Sequence, residues 1–149
     1  MAQSTLGTPG RALSRWTRNT GGVAELIDAP ALIPVPGGKQ ISEFIGRVRT
    51  NDSAASLAHM VAPAGWSEPR QTPDFDEFTL VLRGVVRVES DGAVLEVKAG
   101  QAVVTRAGET VRYSVPAAAD MDSETAEYVA VCLPAFAPEL AHRDDANDD

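Results

Sequence analysis

Cysteine is almost missing from this chain: Cys132 stands alone among 149 residues, which excludes an intrachain disulfide and fits a reducing compartment. Histidine is nearly as scarce, with only His59 and His142, so no Ser/His/Asp order is credible, and there is no CxxC pair. No apolar run approaches the roughly 18 residues that span a bilayer, and the N-terminus lacks the apolar core of a signal peptide. A soluble cytoplasmic protein with no membrane partner is the expectation. Basic residues are outnumbered 13 to 21 by acidic ones, giving a net charge of −8 and a pI near 4.7. With no basic patch and no aromatics interleaved among Lys and Arg, a nucleic-acid partner is not expected. No Gly-rich phosphate loop leads from a strand into a helix.

What is present is the material of one globular domain, 44% apolar and 23% charged. Residues 1–22 carry Arg11, Arg15 and Arg18, no acid and few bulky apolar groups, and read as a flexible N-terminal arm. Residues 139–149 read as a solvated acidic tail, leaving 23–138 as the folded domain. Within it, short β-prone runs are cut by Gly, Pro, Asn and Asp. They cover 31–35, 41–49, 55–62, 77–83, 85–89, 94–98, 102–106, 110–115 and 126–133, and 117–125 is a polar loop. No sustained helical period appears. The pattern predicts an all-β, antiparallel sandwich or barrel.

The chain is organised around Gly65 to Gly84, GWSEPRQTPDFDEFTLVLRG, where a polar, turn-rich loop enters a strand at Glu77. Loop-borne polar groups held by a rigid sheet are where sites tend to lie. Strand alternation puts Glu77, Thr79 and Val81 on one face, the expected wall of a semi-polar cavity. Phe78, Leu80 and Leu82 share the other, expected to be core between two sheets or a dimer contact.

This stretch resembles the first motif of the cupin superfamily, G-x5-H-x-H-x3-E-x6-G, with Gly65, Glu77 and Gly84 in place and Gln71 and Pro73 where the histidines belong. The second motif, G-x5-P-x-G-x2-H-x3-N, is matched in spacing by Gly100, Arg106, Gly108, Val111 and Val115, with only the glycines kept. The resemblance covers about 31–134 and is to the small single-domain bacterial cupins. It implies a double-stranded β-helix of the jelly-roll type, a pocket inside the barrel and a homodimer.

Its departures shape the functional expectation. The family's usual metal site has three histidines and a glutamate, which this chain cannot supply; Val111 stands at the second-motif histidine. Gln71, Glu77 and His59 are the remaining candidate ligands for a weakly held divalent ion (Zn, Ni, Fe or Mn), the alternative being no cofactor. His59 shares a strand face with Leu57 and Val61. If that face looks inward, His59 meets Glu77 as an acid/base pair; if outward, it is structural. Family spacing turns Val111, Tyr113 and Val115 inward and Arg112 outward, unless a bulge near Glu109 brings Arg112 in as an anion clamp. Arg47 and Arg49 read as a solvated sheet face. Trp66 and Phe75 read as pins for the polar loop, and Phe136 as an aromatic laid across the barrel.

The function expected from these residues is proton-transfer chemistry on a small organic molecule: isomerisation, dehydration, cyclisation or a lyase reaction. Glu77 and His59 would be catalytic, with Gln71, Tyr113, Thr79 and Arg112 binding substrate. A non-catalytic binding cupin and a metal-dependent one with a Gln/Glu/His site are the alternatives.

Overall fold

The alternating runs become strands because β-branched and aromatic residues fit a pleated, half-buried surface, and the turns between them carry residues that tolerate positive φ. A computed structural model describes residues 24–117 and 125–145; the expected N-terminal arm and most of the polar loop lie outside them. Among the described residues nine strands are formed: β1 (Ala31–Ile33), β2 (Gln40–Ile45), β3 (Ser56–Ala62), β4 (Asp76–Arg83), β5 (Val85–Ser90), β6 (Ala93–Lys98), β7 (Ala102–Thr105), β8 (Val111–Ser114) and β9 (Ala126–Leu133). One short helix, α1 (Pro138–Ala141), follows them. None of the described helices is long and apolar enough to cross a membrane.

The strands form two antiparallel sheets, of order β1-β2-β3-β9-β4-β7 and β6-β5-β8. Gly84 is the switch between them. It has φ 72°, and a Cβ there would lie 2.9 Å from the Thr125 carbonyl oxygen, so only glycine passes the chain from β4 to β5. The two sheets close on a core that includes Val81, Val86, Val88, Val111, Tyr113 and Tyr128. Each buried valine of this core contributes roughly 1.5–3 kcal/mol of burial energy.

Three differences from the sequence expectation have local causes. The strand expected over 41–49 ends at Ile45, because the chain turns at Gly46 and the Glu43 carboxylate accepts the amides of Val48 and Arg49, both at 2.9 Å. Arg47 and Arg49 therefore lie in a turn, not on a sheet face. The Phe78, Leu80 and Leu82 face does not lie between the two sheets. It is the outer face of the large sheet, where Leu80 and Leu82 are exposed beside Val104 and Leu133. The described part of the acidic tail keeps its acidic side chains Glu139, Asp144 and Asp145 exposed, as expected, but its backbone is docked. Ala141 is fully buried with Phe75 and Cys132, the amide of Asp144 donates to the Arg70 carbonyl at 2.8 Å, and His142 Nε2 meets Asp74 Oδ2 at 2.6 Å.

The polar loop of the organising stretch is also more regular than its composition suggests. Its backbone runs beside β8, with Glu68 donating to the Tyr113 carbonyl, Gln71 and Val111 exchanging two hydrogen bonds, and Val115 donating to Trp66. Trp66 joins the core and Phe75 packs edge-on against Phe136 at 5.8 Å, so both aromatics pin this loop as expected.

Candidate functional site

The period of two decides what faces the interior. On β3 the inward residues are Ser56, Ala58 and Met60, and on β9 they are Tyr128, Ala130 and Cys132. On β4 Glu77 lies between Cys132 of β9 and Thr105 of β7. All of these except Thr105 line a cavity of about 440 Å³ whose walls are mostly apolar, and its ionisable and polar groups include Lys39, Glu43, Arg47, Glu68, Gln71, Glu77, Tyr113, Glu139 and Arg143. Its volume falls within the range of small-molecule pockets.

Glu77 is weakly held. Thr79 Oγ1 donates to its Oε1 at 3.4 Å and the Cys132 thiol points to its Oε2 at 3.8 Å, both long contacts. Burial pushes its pKa up to about 7, the neighbouring Glu68 adds to the rise, and Lys39, Thr79 and Cys132 pull it back. Among the described residues no arginine locks it: Arg47 Nε donates to the Ala135 carbonyl, and Arg49 binds the Ala29 carbonyl and Asp28. A carboxyl titrating near neutrality inside an apolar cavity can both give and take a proton.

The surroundings are graded around it. Glu68 is also raised, by burial first, against the opposing pull of Lys39 and Arg143. The Tyr113 hydroxyl shares a 2.9 Å hydrogen bond with Thr105 Oγ1 and is held firmly protonated by burial and by Glu77. The Cys132 thiol is likewise raised by burial and Glu77, which leaves it a poor nucleophile. Gln71 is buried, and its Oε1 lies 3.4 Å from Arg143 Nε.

Of the residues singled out from sequence, Glu77, Gln71 and Tyr113 meet in this cavity, and Thr79 is buried just behind Glu77. Arg112 does not reach it. The pairing of β8 with β5 is regular from Val111 to Ser114, Arg112 lies on the face opposite Val111 and Tyr113, and its Nε donates to Ser67 Oγ at 3.1 Å. His59 faces out as well: it pairs with Val129 in register, and its Nε2 contacts Glu127 Oε1 at 2.7 Å on the outer surface. The expected Glu77–His59 pair is therefore not formed.

The same placement undoes the Gln71, Glu77 and His59 ligand set. Among the described residues there is no group of three or more His, Cys, Asp or Glu side chains able to hold a metal ion. With Val111 and Pro73 at histidine positions, the cavity does not fit the family's metal.

Sequence reasoning missed Lys39, Glu68, Arg143 and Tyr128 as cavity residues. Glu68 had a signal, since it lies inside the organising stretch and faces Tyr113 across strand-like pairing. Arg143 had none, because it comes from a segment read as solvent-exposed.

A two-sheet antiparallel jelly roll enclosing a polar-floored cavity at the junction of two spaced glycine motifs defines the class. The family model described as the EutQ-like cupin domain matches residues 58–126, which supports membership of the cupin superfamily. It is 43% identical over 112 residues, 74% of its length, to a Myxococcus xanthus protein named Endoribonuclease YbeY. The match spans only 36% of that relative, so the chain accounts for about a third of its length. Among solved structures, a point variant of oxalate decarboxylase from Bacillus subtilis superposes with a TM-score of 0.66 at 15% identity, over 83% of this chain and 33% of that one. KdgF from a Halomonas species gives 0.59 at 14% identity, over 74% of this chain and 91% of that one. At such identities the structures show the shared fold alone.

Proposed function

We propose that the barrel takes up a small organic molecule and that Glu77 moves a proton on it, as in isomerisation, dehydration, cyclisation or elimination. One observation carries this reading: a carboxyl with only long hydrogen bonds sits on the wall of an internal cavity, its pKa raised to about 7 by burial. Tyr113 and Gln71 then orient the ligand's polar atoms. Glu68 stands beside Glu77 as a second proton-carrying group. We assign His59 and Arg112 no part in the step.

The test is deuterium incorporation from D2O into a panel of small carbonyl and carboxylate compounds, followed by NMR with wild type and Glu77→Gln. Exchange by the wild type that disappears in the variant supports the reading. Exchange that survives Glu77→Gln would falsify it.

A second reading, a ligand-binding module without catalysis, is favoured by the partial match to the Myxococcus protein. A related domain there occupies about a third of a longer polypeptide that carries an endoribonuclease name, as expected of a sensing module attached to another activity. The acidic charge of this chain makes direct RNA contact by the domain itself a poor fit. Saturable binding of a small molecule with no exchange in any compound of the panel would favour this module. For either reading we propose a homodimer through the exposed Leu80, Leu82, Val104 and Leu133.

A further inference from the structure

We propose that Lys39 is a nucleophilic amine that captures a carbonyl substrate in the cavity as an imine, the substrate being a short apolar molecule with a carbonyl and a carboxylate. The proposal rests on the reading of the cavity as a proton-transfer site and names the substrate class for it.

The first support is composition seen against position. Of the 13 basic residues only Lys39 and Lys98 are lysines. Lys98 is exposed at the end of β6, whereas Lys39 lines the cavity with Glu68, Glu77 and Tyr113. An arginine in that place could supply charge but not a free amine, because guanidinium does not deprotonate in proteins.

Geometry is the second support. Pro36, Gly37 and Gly38 form a turn with φ 82° and 76° at its glycines, and this turn delivers Lys39 to the cavity. A Cβ at Gly37 would come within 3.3 Å of Trp66 Cδ1, so the bare glycine lets the turn lie against the indole. The Lys39 Nζ then rests 4.1 Å from the Trp66 ring centre and 5.4 Å from that of Tyr128, on aromatic faces and not on a carboxylate. Burial lowers its pKa, Glu68 and Glu77 oppose this, and Arg143 reinforces it. The ring faces favour the ammonium, so the opposing effects together set the fraction of free amine. A lysine desolvated in an apolar pocket is a recognised amine nucleophile.

The step balances without an added oxidant or reductant. The Lys39 nitrogen lone pair forms a bond to the carbonyl carbon while the C=O π pair moves to oxygen, and a proton passes from nitrogen to that oxygen to give the carbinolamine. The protonated carboxyl of Glu68 gives its proton to the departing hydroxyl, which leaves as water as the nitrogen lone pair forms the C=N bond, so a protonated imine remains beside the Glu68 carboxylate. Glu68 is placed to relay these protons, and Glu77 to take the proton from the carbon beside the imine, which acts as the electron sink. Arg47 and Arg143, both on the cavity wall, supply positive charge for the carboxylate.

The experiment treats the full-length protein at neutral pH with glyoxylate and sodium cyanoborohydride, which reduces any imine to a stable secondary amine, and maps the adduct by peptide mass spectrometry. Lys98 is the internal control. Lys39 is expected to be labelled at least about tenfold faster than Lys98, because its amine is desolvated beside the aromatic rings of the cavity. Lys39→Arg, which keeps the charge over Trp66, should fold, carry no adduct at 39 and lose deuterium exchange. Glu77→Gln should still be labelled at Lys39 while losing exchange. Labelling of Lys39 no faster than that of Lys98, or exchange retained in folded Lys39→Arg, overturns the imine. In that case loss of exchange in Glu77→Gln would still leave proton transfer by Glu77 standing.

Discussion

Glu77 and Glu127 occupy neighbouring strands of one sheet and have opposite surroundings. Glu127 points outward, where its carboxylate meets His59 Nε2 at 2.7 Å and Arg83 Nε at 3.7 Å within reach of water. Glu77 points inward, where its two hydrogen bonds are 3.4 and 3.8 Å long and burial raises its pKa to about 7. The difference is one of parity, not of local sequence. A carboxylate that has cationic partners in solvent is a surface feature of small energetic weight, whereas one that lacks them in an apolar cavity stores a proton near neutral pH.

The largest effect that tests this contrast is on turnover. Glu77→Gln should lower proton exchange by about 10²–10⁴-fold, the usual contribution of a positioned acid or base, while Glu127→Gln leaves it within experimental error of wild type. Equal losses in the two variants, measured by NMR exchange rates, would erase the distinction between the faces.

Stability should move the other way for the same substitution. The folded pKa of Glu77 lies above its ordinary value of 4.5, at about 7. The folded state therefore holds the proton more tightly than the unfolded chain, and this contribution is fully present below pH 4.5 and lost as pH rises through 7. At pH 8 the wild type carries a desolvated charge that glutamine lacks. Glu77→Gln should then be more stable than wild type by roughly 3 kcal/mol, and the gain should vanish near pH 4. Denaturant melts at the two pH values check both the sign and its reversal.

Glu43 offers a finer cut inside the cavity wall, because it is as buried as a core residue yet has good partners. Its Oε1 accepts two backbone amides at 2.9 Å and fixes the turn after β2. Glu43→Gln should cost about 1–2 kcal/mol through weakened charge-assisted bonds and leave proton exchange close to wild type. A stability gain at high pH like that of Glu77→Gln would mean that the two buried carboxylates do not differ as their hydrogen bonds indicate.

Much of the architecture was legible because period-two patterning and turn residues are local signals. All nine strands lie where Gly, Pro, Asn and Asp punctuate β-prone runs, and the two glycine spacings marked Glu77 and the inward turn of Tyr113. Alternation says which residues share a face, but not which face looks inward. On β3 both sets are apolar apart from one polar residue each, Ser56 with Ala58 and Met60 against His59 with Leu57 and Val61, so nothing local decided the orientation of His59. Lys39 and Arg143 reach the cavity only through long-range packing, one from a glycine turn and the other from beyond α1. Their roles depend on contacts with Trp66, Tyr128 and Gln71 that no sequence window contains.

The smallest expected effect concerns the histidine that the sequence made the natural partner of Glu77. His59 lies on the outer face, with its side chain about a third exposed at 31% and its ring nitrogen on a Glu127 that is 32% exposed and also near Arg83. A pair so open to water contributes less than about 1 kcal/mol, and Glu127 keeps a cationic neighbour when the imidazole is removed. His59→Gln, which keeps a donor for that carboxylate, should thus shift the unfolding free energy by less than about 1 kcal/mol and leave the rate and pH profile of proton exchange unchanged. A profile that loses a limb in His59→Gln would show that the imidazole reaches the reacting proton despite facing out, and would place the chemistry on the opposite side of the sheet from Glu77.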